Sequence, residues 1–265
     1  MAMNKLDQKL AEIKKRKRIG LMTHVIVGYP SLEETISIVK TMAACGVDFV
    51  ELQIPFSDPL ADGPTIMKAC EESLENGTKV KDAFTIMKKL SSEVSVPLLF
   101  MAYYNTVFQY GVDRFCHDAK AAGTSGLIVP DMPLDEEKYE HFYATAKKYD
   151  LHTIQVISPA STPERLKKNA AAANGFVYCT ARQGITGAKK ELDPSLRAYL
   201  KNVKKVFDIP VAVGFGISRR EHISALQKEA DIAIVGSAII DVIRNNEMSK
   251  RMSAVKEYLS DLSIE

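Results

Sequence analysis

The sequence predicts an α/β fold in which eight parallel strands, alternating with helices, close into a (β/α)8 TIM barrel. Short and almost wholly apolar runs alternate with amphipathic stretches along the chain, a pattern typical of a parallel sheet covered by helices on its outer face. Eight such runs occur in 265 residues, and a barrel of this kind usually takes about 250. No linker, repeat or low-complexity tract divides the chain, so we expect residues 1–265 to form a single domain.

Hydrophobic periodicity places each element in turn. The apolar runs that predict strands lie at 21–27, 49–54, 97–104, 125–129, 152–157, 175–179, 210–213 and 231–235. Helical spacing fills the intervals and includes a helix over 139–149. Thr162 precedes a helix as its N-cap, and Ser218 begins a capping box. Extra helices at 3–14 and 66–76 are additions to the barrel plan, one at the N-terminus and one in a loop.

The composition excludes several classes of protein. Lys and Arg number 35 against 33 Asp and Glu, a formal net charge of +2, which argues against a protein that binds nucleic acid or a membrane surface. The four cysteines stand far apart without metal-ligand spacing, so we expect reduced thiols, no metal site and a cytoplasmic protein. No apolar stretch approaches the roughly 20 residues of a membrane-spanning helix, and no hydrophobic signal region opens the chain, so we expect a soluble, unexported protein.

The segment over 50–65, which reads VELQIPFSDPLADGPT, carries the strongest chemical signal. It begins as an apolar strand that contains Glu51 and breaks at Pro55 into a loop that carries Asp58 and Asp62. A carboxylate inside an apolar strand is costly unless it is paired, and buried charge is rare there. A strand carboxylate beside a loop carboxylate suits general acid–base catalysis at a shielded site. The alternative is a paired Glu51 next to a simple acidic turn.

This segment resembles the signature of the tryptophan synthase alpha subunit family, which usually reads ELGIPFSDPLADGP. The chain matches that signature at every position except Gln53, where the family usually has glycine. The resemblance extends from Gly20 to about Ile243. It implies a lyase that cleaves indole-3-glycerol phosphate by a retro-aldol reaction into indole and glyceraldehyde 3-phosphate.

The resemblance also implies roles for the two carboxylates and a partner. Glu51 would supply and recover protons, because the indole ring leaves only after its C3 atom is protonated. Asp62 would accept a hydrogen bond from the indole N–H and stabilise the cationic ring. The expected partner is a pyridoxal-phosphate beta subunit, in an α2β2 complex, that joins the released indole to serine. Nothing in this chain has the pattern of a pyridoxal site, so any such cofactor belongs to the partner.

Glycine-rich turns follow the last two predicted strands. Phosphate commonly binds in these two loops of a barrel, because glycine lets backbone N–H groups approach an anion and the next helix begins there. The sequence therefore predicts that Phe215, Gly216, Gly236 and Ser237 bind a phosphate group, the alternative being ordinary tight turns.

The loop over 182–190 is long for a connection between a strand and a helix. Loops of this length are usually lids or binding elements, and the alternative is a disordered surface loop. The resemblance implies that the loop closes over the bound substrate. It assigns substrate binding to Tyr178, Thr186 and Gly187, and lid or partner contacts to Asp58, Asp131 and Arg182.

Two positions depart from the family pattern. His24 stands in the first strand where the family usually has a phenylalanine that lines the indole pocket, and a lone histidine in an apolar strand is typically a satisfied core residue. Gln53 shares a strand face with Glu51, because side chains alternate along a strand. We expect its amide to donate a hydrogen bond to a nearby carboxylate, with Glu51 as one candidate, or else to backbone carbonyl groups.

Two other functions stay open on the residues alone. Another phosphate-binding barrel enzyme, of the sugar-phosphate isomerase or epimerase type, explains the glycine turns equally well but not the spacing from Glu51 to Asp62. A barrel retained as a catalytically weak activating subunit is the other possibility, and the presence of both carboxylates argues against it.

Overall fold

Eight parallel strands form a closed barrel, which confirms the predicted fold class. The computed structural model describes residues 3–180, 193–214 and 216–262. The strands pair in chain order, and the last pairs with the first. They are β1 Gly20–Ile26, β2 Phe49–Gln53, β3 Leu98–Met101, β4 Gly126–Ile128, β5 His152–Ile157, β6 Val177–Thr180, β7 Val211–Gly214 and β8 Ile232–Val235.

Helices cover the outside of the barrel, and one helix precedes the first strand. They are α1 Lys5–Arg16, α2 Leu32–Ala44, α3 Pro64–Glu75, α4 Val80–Glu93, α5 Tyr104–Tyr110, α6 Val112–Ala121, α7 Glu137–Glu140, α8 Phe142–Lys148, α9 Pro163–Ala172, α10 Pro194–Val206, α11 Arg220–Leu226, α12 Ser237–Arg244 and α13 Met248–Leu262. A short 3-10 helix lies at Leu134–Glu136. In the described ranges no helix combines the length and the apolar character needed to cross a bilayer. The two predicted extra helices correspond to α1 and α3.

Two helical predictions and one strand prediction differ from the structure. The single helix over 139–149 is two helices, because His141 between α7 and α8 has a left-handed backbone with φ of 52°. Ser218 does not cap α11: its backbone N–H donates to His222 Nδ1 at 3.2 Å, and the helix begins two residues later. The third predicted strand is shorter, because Tyr104 already begins α5. The N-cap at Thr162 is confirmed, since its hydroxyl accepts a hydrogen bond from the backbone N–H of Arg165.

Side chains alternate between the barrel interior and the layer under the helices, as strand geometry requires. On β2, Phe49 faces the interior, whereas Val50 and Leu52 pack in the outer layer. The strand residues that fill the interior are mostly large and apolar: Met22, Phe49, Leu99, Met101, Ile128, Ile154, Phe176, Ala212, Ile232 and Ile234.

Helix α1 closes the end of the barrel at which the strands begin. Its Leu6 and Ile13 are buried and belong to the interior cluster. They lie close to glycines at or just before strand starts, Ile13 beside Gly20 and Leu6 beside Gly175, where an added Cβ atom would overlap them. Of the predicted site residues, those that the structure describes lie in the interior or toward the opposite end, at which the strands finish.

Candidate active site

Strand β2 carries Glu51 into the barrel interior. Glu51 lies two residues after Phe49, on the same inward face, and only 2 % of it is exposed. A carboxylate at this depth has lost its hydration, which costs free energy unless a partner or a ligand compensates. Glu51 therefore lies on the strand predicted to carry it, and it is buried inside the barrel.

The loop after β2 brings Asp62 to the same part of the molecule. The loop is tightened by a hydrogen bond from the Asp62 backbone N–H to the carbonyl oxygen of Pro59, at 2.9 Å. The neighbouring N–H of Ala61 donates to the hydroxyl oxygen of Tyr103 at 3.0 Å. These bonds tie the loop to the end of β3 and leave Asp62 partly buried.

Two donors hold one oxygen of Asp62. Gln53 Nε2 donates to Asp62 Oδ2 at 2.8 Å, and the Tyr103 hydroxyl donates to the same oxygen at 3.0 Å. Burial raises the pKa of Asp62 above its ordinary value, although the charge on His24 and these two hydrogen bonds oppose the rise. Burial also raises the pKa of Tyr103, so its hydroxyl keeps the proton it donates. Gln53 thus donates to a carboxylate as expected, and that carboxylate is Asp62.

His24 lies beside Glu51 in the barrel interior. The two residues are register partners on β1 and β2, and His24 Nδ1 lies 3.3 Å from Glu51 Oε2. The expectation of a satisfied core histidine is wrong at the other nitrogen, because Nε2 is buried without a hydrogen-bond partner in the described part of the chain. Glu51 Oε2 and Gln53 Oε1 are equally unsatisfied there. Three such atoms on adjacent strands leave hydrogen-bonding capacity that a polar ligand or a transferred proton can use.

Tyr178 reaches the same interior from β6. Its ring packs against the interior cluster, and its hydroxyl lies against Gly214 at the end of β7, where a Cβ atom would be 2.7 Å from the phenol oxygen. Burial, followed by the charges of Glu51 and Asp62, raises the pKa of Tyr178. The phenol therefore remains neutral and can act as a hydrogen-bond donor or as an aromatic wall.

The two predicted phosphate loops follow β7 and β8. Gly216 has φ of 51°, a left-handed conformation that favours glycine, and a Cβ atom there would meet open space. Gly236 precedes α12, and a Cβ atom placed on it would lie 3.9 Å from the Cβ of His24. The start of α12, at Ser237, therefore adjoins β1 and offers backbone N–H groups that have no acceptor within the helix.

The remaining predicted residues divide into two groups. Asp58 and Asp131 are exposed: the Ser57 hydroxyl donates to Asp58 at 2.6 Å, and the Tyr104 backbone N–H donates to Asp131 at 2.8 Å. Arg182, Thr186, Gly187 and Phe215 lie outside the described residues. Across the described ranges, no three His, Cys, Asp or Glu side chains are grouped as metal ligands.

Two members of the site were not assigned to it from the sequence. Tyr103 reads as the end of an apolar strand, and only the fold of the loop after β2 brings Asp62 to its hydroxyl. His24 reads as a core residue, although its place two residues after the inward-facing Met22 was a usable signal. The parallel register of β1 and β2 then makes it the neighbour of Glu51.

Comparisons with known proteins give the family. Residues 10–264 match the family model described as tryptophan synthase alpha chain. The tryptophan synthase alpha chain of Desulfotalea psychrophila is 46 % identical over 241 residues, which cover 91 % of this chain and 94 % of that protein. The alpha chain of Chloroflexus aggregans is 40 % identical over 261 residues, covering 98 % and 97 % of the two chains.

Solved structures similar to this chain belong to the same family. Tryptophan synthase subunit alpha from Legionella pneumophila superposes with a TM-score of 0.90 at 31 % identity, covering 98 % of this chain and 97 % of that one. A chain of tryptophan synthase from M. tuberculosis, in an aminoacrylate-bound form, gives 0.87 at 30 % identity and covers 98 % of both chains. These matches do not favour either alternative function, a sugar-phosphate isomerase or epimerase or a catalytically weak activating subunit. The chain therefore belongs to the tryptophan synthase alpha chain family.

Proposed function

We propose that Glu51 and Asp62 carry the retro-aldol cleavage of indole-3-glycerol phosphate, which is the lyase reaction of the tryptophan synthase alpha chain. The observation that supports this assignment most strongly is the pair of carboxylates itself. One is buried on the inward face of β2, and the other is held by two donors in the loop that follows. Two carboxyl groups in such different surroundings suit two different roles.

Glu51 acts as the general acid and then as the general base. The bond between C3 of indole and the glycerol phosphate side chain breaks only after C3 gains a proton, because the neutral ring is a poor leaving group. Glu51 delivers that proton and afterwards takes the proton of the side-chain hydroxyl that becomes the aldehyde. No net proton is consumed, so one carboxyl group serves both steps.

Asp62 binds the ring nitrogen. Its Oδ2 already accepts hydrogen bonds from Gln53 and Tyr103, so Oδ1 is the oxygen left for the indole N–H. The positive charge that the ring acquires on protonation is delocalised onto this nitrogen. An ionised Asp62 therefore stabilises the protonated ring more strongly than it stabilises the neutral ring. Asp62 therefore contributes mainly in the transition state.

The phosphate group binds at the starts of the loops after β7 and β8. Gly216, Gly236 and Ser237, together with Phe215, supply backbone N–H groups, and the N-terminal end of α12 adds a favourable dipole. Tyr178, Thr186 and Gly187 complete the substrate contacts, and Arg182 belongs to the lid. Since Gly236 lies beside His24, this anchor is close to Glu51, as a substrate with three carbons between ring and phosphate requires.

A tryptophan synthase alpha chain works with a beta subunit. We infer an α2β2 complex in the cytoplasm, with pyridoxal phosphate held by the beta subunit. Asp58 and Asp131 are exposed near the ends of β2 and β4, on the same face as the site, so they suit contacts with the lid or with the partner. An enclosed path for indole between the subunits would prevent this apolar product from escaping.

The test is indole release from indole-3-glycerol phosphate, with and without a beta subunit. We expect Glu51→Gln to lose about 100-fold or more of the parent activity, because the amide has no proton to deliver. Asp62→Asn should also lose most activity. The matched control is Glu257→Gln, an exposed glutamate on α13, which should behave as the parent. A parent chain that releases no indole, or a Glu51→Gln variant that retains more than about a tenth of the activity, contradicts the proposal.

A further inference from the structure

His24 and Glu51 form a buried pair inside the barrel. They are direct register partners on β1 and β2, and their side chains are only 5 % and 3 % exposed. His24 Nδ1 lies 3.3 Å from Glu51 Oε2, within ion-pair range, although the two are not aligned as a hydrogen bond and Oε2 has no other donor among the described residues. A hydrogen bond between these two atoms would require the imidazole ring to turn so that Nδ1–H points at Oε2.

The surroundings of His24 favour its protonated form. Burial alone would lower the pKa of His24, but the Glu51 carboxylate, then Asp62 and the Gln53 amide, raise it above the ordinary value. Among the described residues, the other ionisable groups near this pair are Tyr178 on β6, Tyr103 at the end of β3 and Cys70 on α3. Burial raises the pKa of all three, so each stays neutral. On the side of β8 and α3, the neighbouring residues Gly236 and Ile66 carry no charge.

We propose that His24 is a positioning residue for Glu51, and that it stores the proton that Glu51 delivers to the substrate. This inference rests on the proposed function. The Nδ1 proton passes to Oε2 of Glu51, and Glu51 passes it to C3 of the indole ring. The electrons of the carbon–carbon bond then return to the ring, the side-chain hydroxyl gives its proton to the Glu51 carboxylate as the aldehyde forms, and that proton returns to His24.

The imidazole of His24 sets the pH range over which the pair can donate a proton. An imidazole ordinarily keeps its proton up to a pH of about 6.5, and a carboxyl group only up to about 4.3. In the proposed pair the imidazole holds the proton, so the form that can donate persists to a higher pH when the histidine is present. Because the pKa of His24 is raised, this form is fully present below that value and is lost as the pH rises through it. Removal of the imidazole should therefore move the alkaline limb of kcat to lower pH.

The first measurement compares His24→Gln and His24→Phe with the parent protein in complex with its beta subunit. Neither replacement can hold the proton, and the glutamine keeps a polar side chain of similar reach. We expect the alkaline limb of kcat to move down by about one pH unit or more in both variants, with the KM for indole-3-glycerol phosphate changed much less in His24→Gln. Unmoved limbs in both variants would overturn the proposal.

The second measurement detects the interaction between His24 and Glu51 without relying on catalytic activity. Proton and carbon NMR of histidine-labelled protein follows the titration of His24, which is assigned by its absence in His24→Gln. We expect the midpoint of His24 to fall in Glu51→Gln, while the midpoint of His222 on α11 stays unchanged as the internal control. A His24 midpoint that does not respond to Glu51→Gln overturns the pairing. If Glu51→Gln keeps its turnover, the proposed function fails whatever His24 does, whereas lost turnover with an unresponsive His24 rejects only the role of the histidine.

Discussion

At the scale of single residues, Gln53 controls the state of Asp62. The amide and the Tyr103 hydroxyl donate to the same carboxylate oxygen, at 2.8 and 3.0 Å. Hydrogen bonds to the ionised form favour ionisation, and here they counteract the burial that raises the pKa of Asp62. A side chain at this position, where the family usually has glycine, therefore limits the rise in the pKa of Asp62 and orients its carboxylate before the substrate arrives.

Gln53→Gly should shift the pH dependence of the enzyme. Removal of one donor raises the pKa of Asp62 further, so the ionised form is lost at a higher pH as the solution is acidified. We expect the acid limb of kcat/KM to move up by about half a unit to one unit, and Tyr103→Phe to move it in the same direction. The control is Gln155→Gly on β5, a buried glutamine whose amide lies against the Thr153 carbonyl oxygen. An equal shift in this control, or none in Gln53→Gly, would refute the role of Gln53.

The sequence singles out Glu51 and Asp62 as candidates and predicts that Gln53 donates to a carboxylate, but it does not predict that Asp62 is the acceptor or that Tyr103 donates to it as well. A charged residue inside an apolar run is visible as a pattern, since burial of charge is rare. Tyr103 and Gln53 meet Asp62 only because the loop after β2 folds back over the end of β3. Such contacts depend on the path of an irregular loop, which has no periodicity to predict it.

At the scale of elements, the start of α12 is the proposed anchor for phosphate. Ser237→Asp places a negative charge at the first residue of this helix. An acidic residue there favours the helix itself, so the fold should be retained while the anion is repelled. We expect the KM for indole-3-glycerol phosphate to rise about tenfold or more.

The control for that experiment is Ser253→Asp, the same substitution at an exposed position within α13. It should leave the KM unchanged. Steady-state kinetics and binding of inorganic phosphate measure both variants. Equal affinities for parent and Ser237→Asp would mean that the anion binds elsewhere.

Helix α1 is the element that closes the barrel at the opposite end from the site. Leu6 is fully buried in the interior cluster, whereas Leu10 on the same helix is only partly buried. Leu6→Ala should lower the free energy of unfolding by about 2–5 kcal/mol, because it opens a cavity between α1 and the strands. Leu10→Ala should cost clearly less. Denaturant unfolding measures both variants. Equal losses of unfolding free energy would show that α1 does not close the barrel by packing Leu6 into its interior.

At the scale of the whole molecule, the barrel can be predicted from hydrophobic periodicity, whereas local breaks in its helices and strands cannot. Eight apolar runs separated by helices leave few arrangements in which parallel strands are covered on their outer face and their edges are removed. Hydrophobic periodicity predicts neither the break at His141 nor the start of α5 at Tyr104. Both depend on individual backbone angles and tertiary contacts that override helix propensity.

In the proposed mechanism, Glu51 moves the proton, and other groups of the site bind the substrate. The direct test measures, for Glu51→Gln, both the turnover of indole-3-glycerol phosphate and the Kd of an uncleavable analogue that keeps the indole ring and phosphate but lacks the hydroxyl groups. We predict that turnover falls by about 100-fold or more while the Kd stays within about twofold of the parent value. Retention of more than about a tenth of the turnover, or a loss of analogue affinity as large as the loss of turnover, would contradict the account.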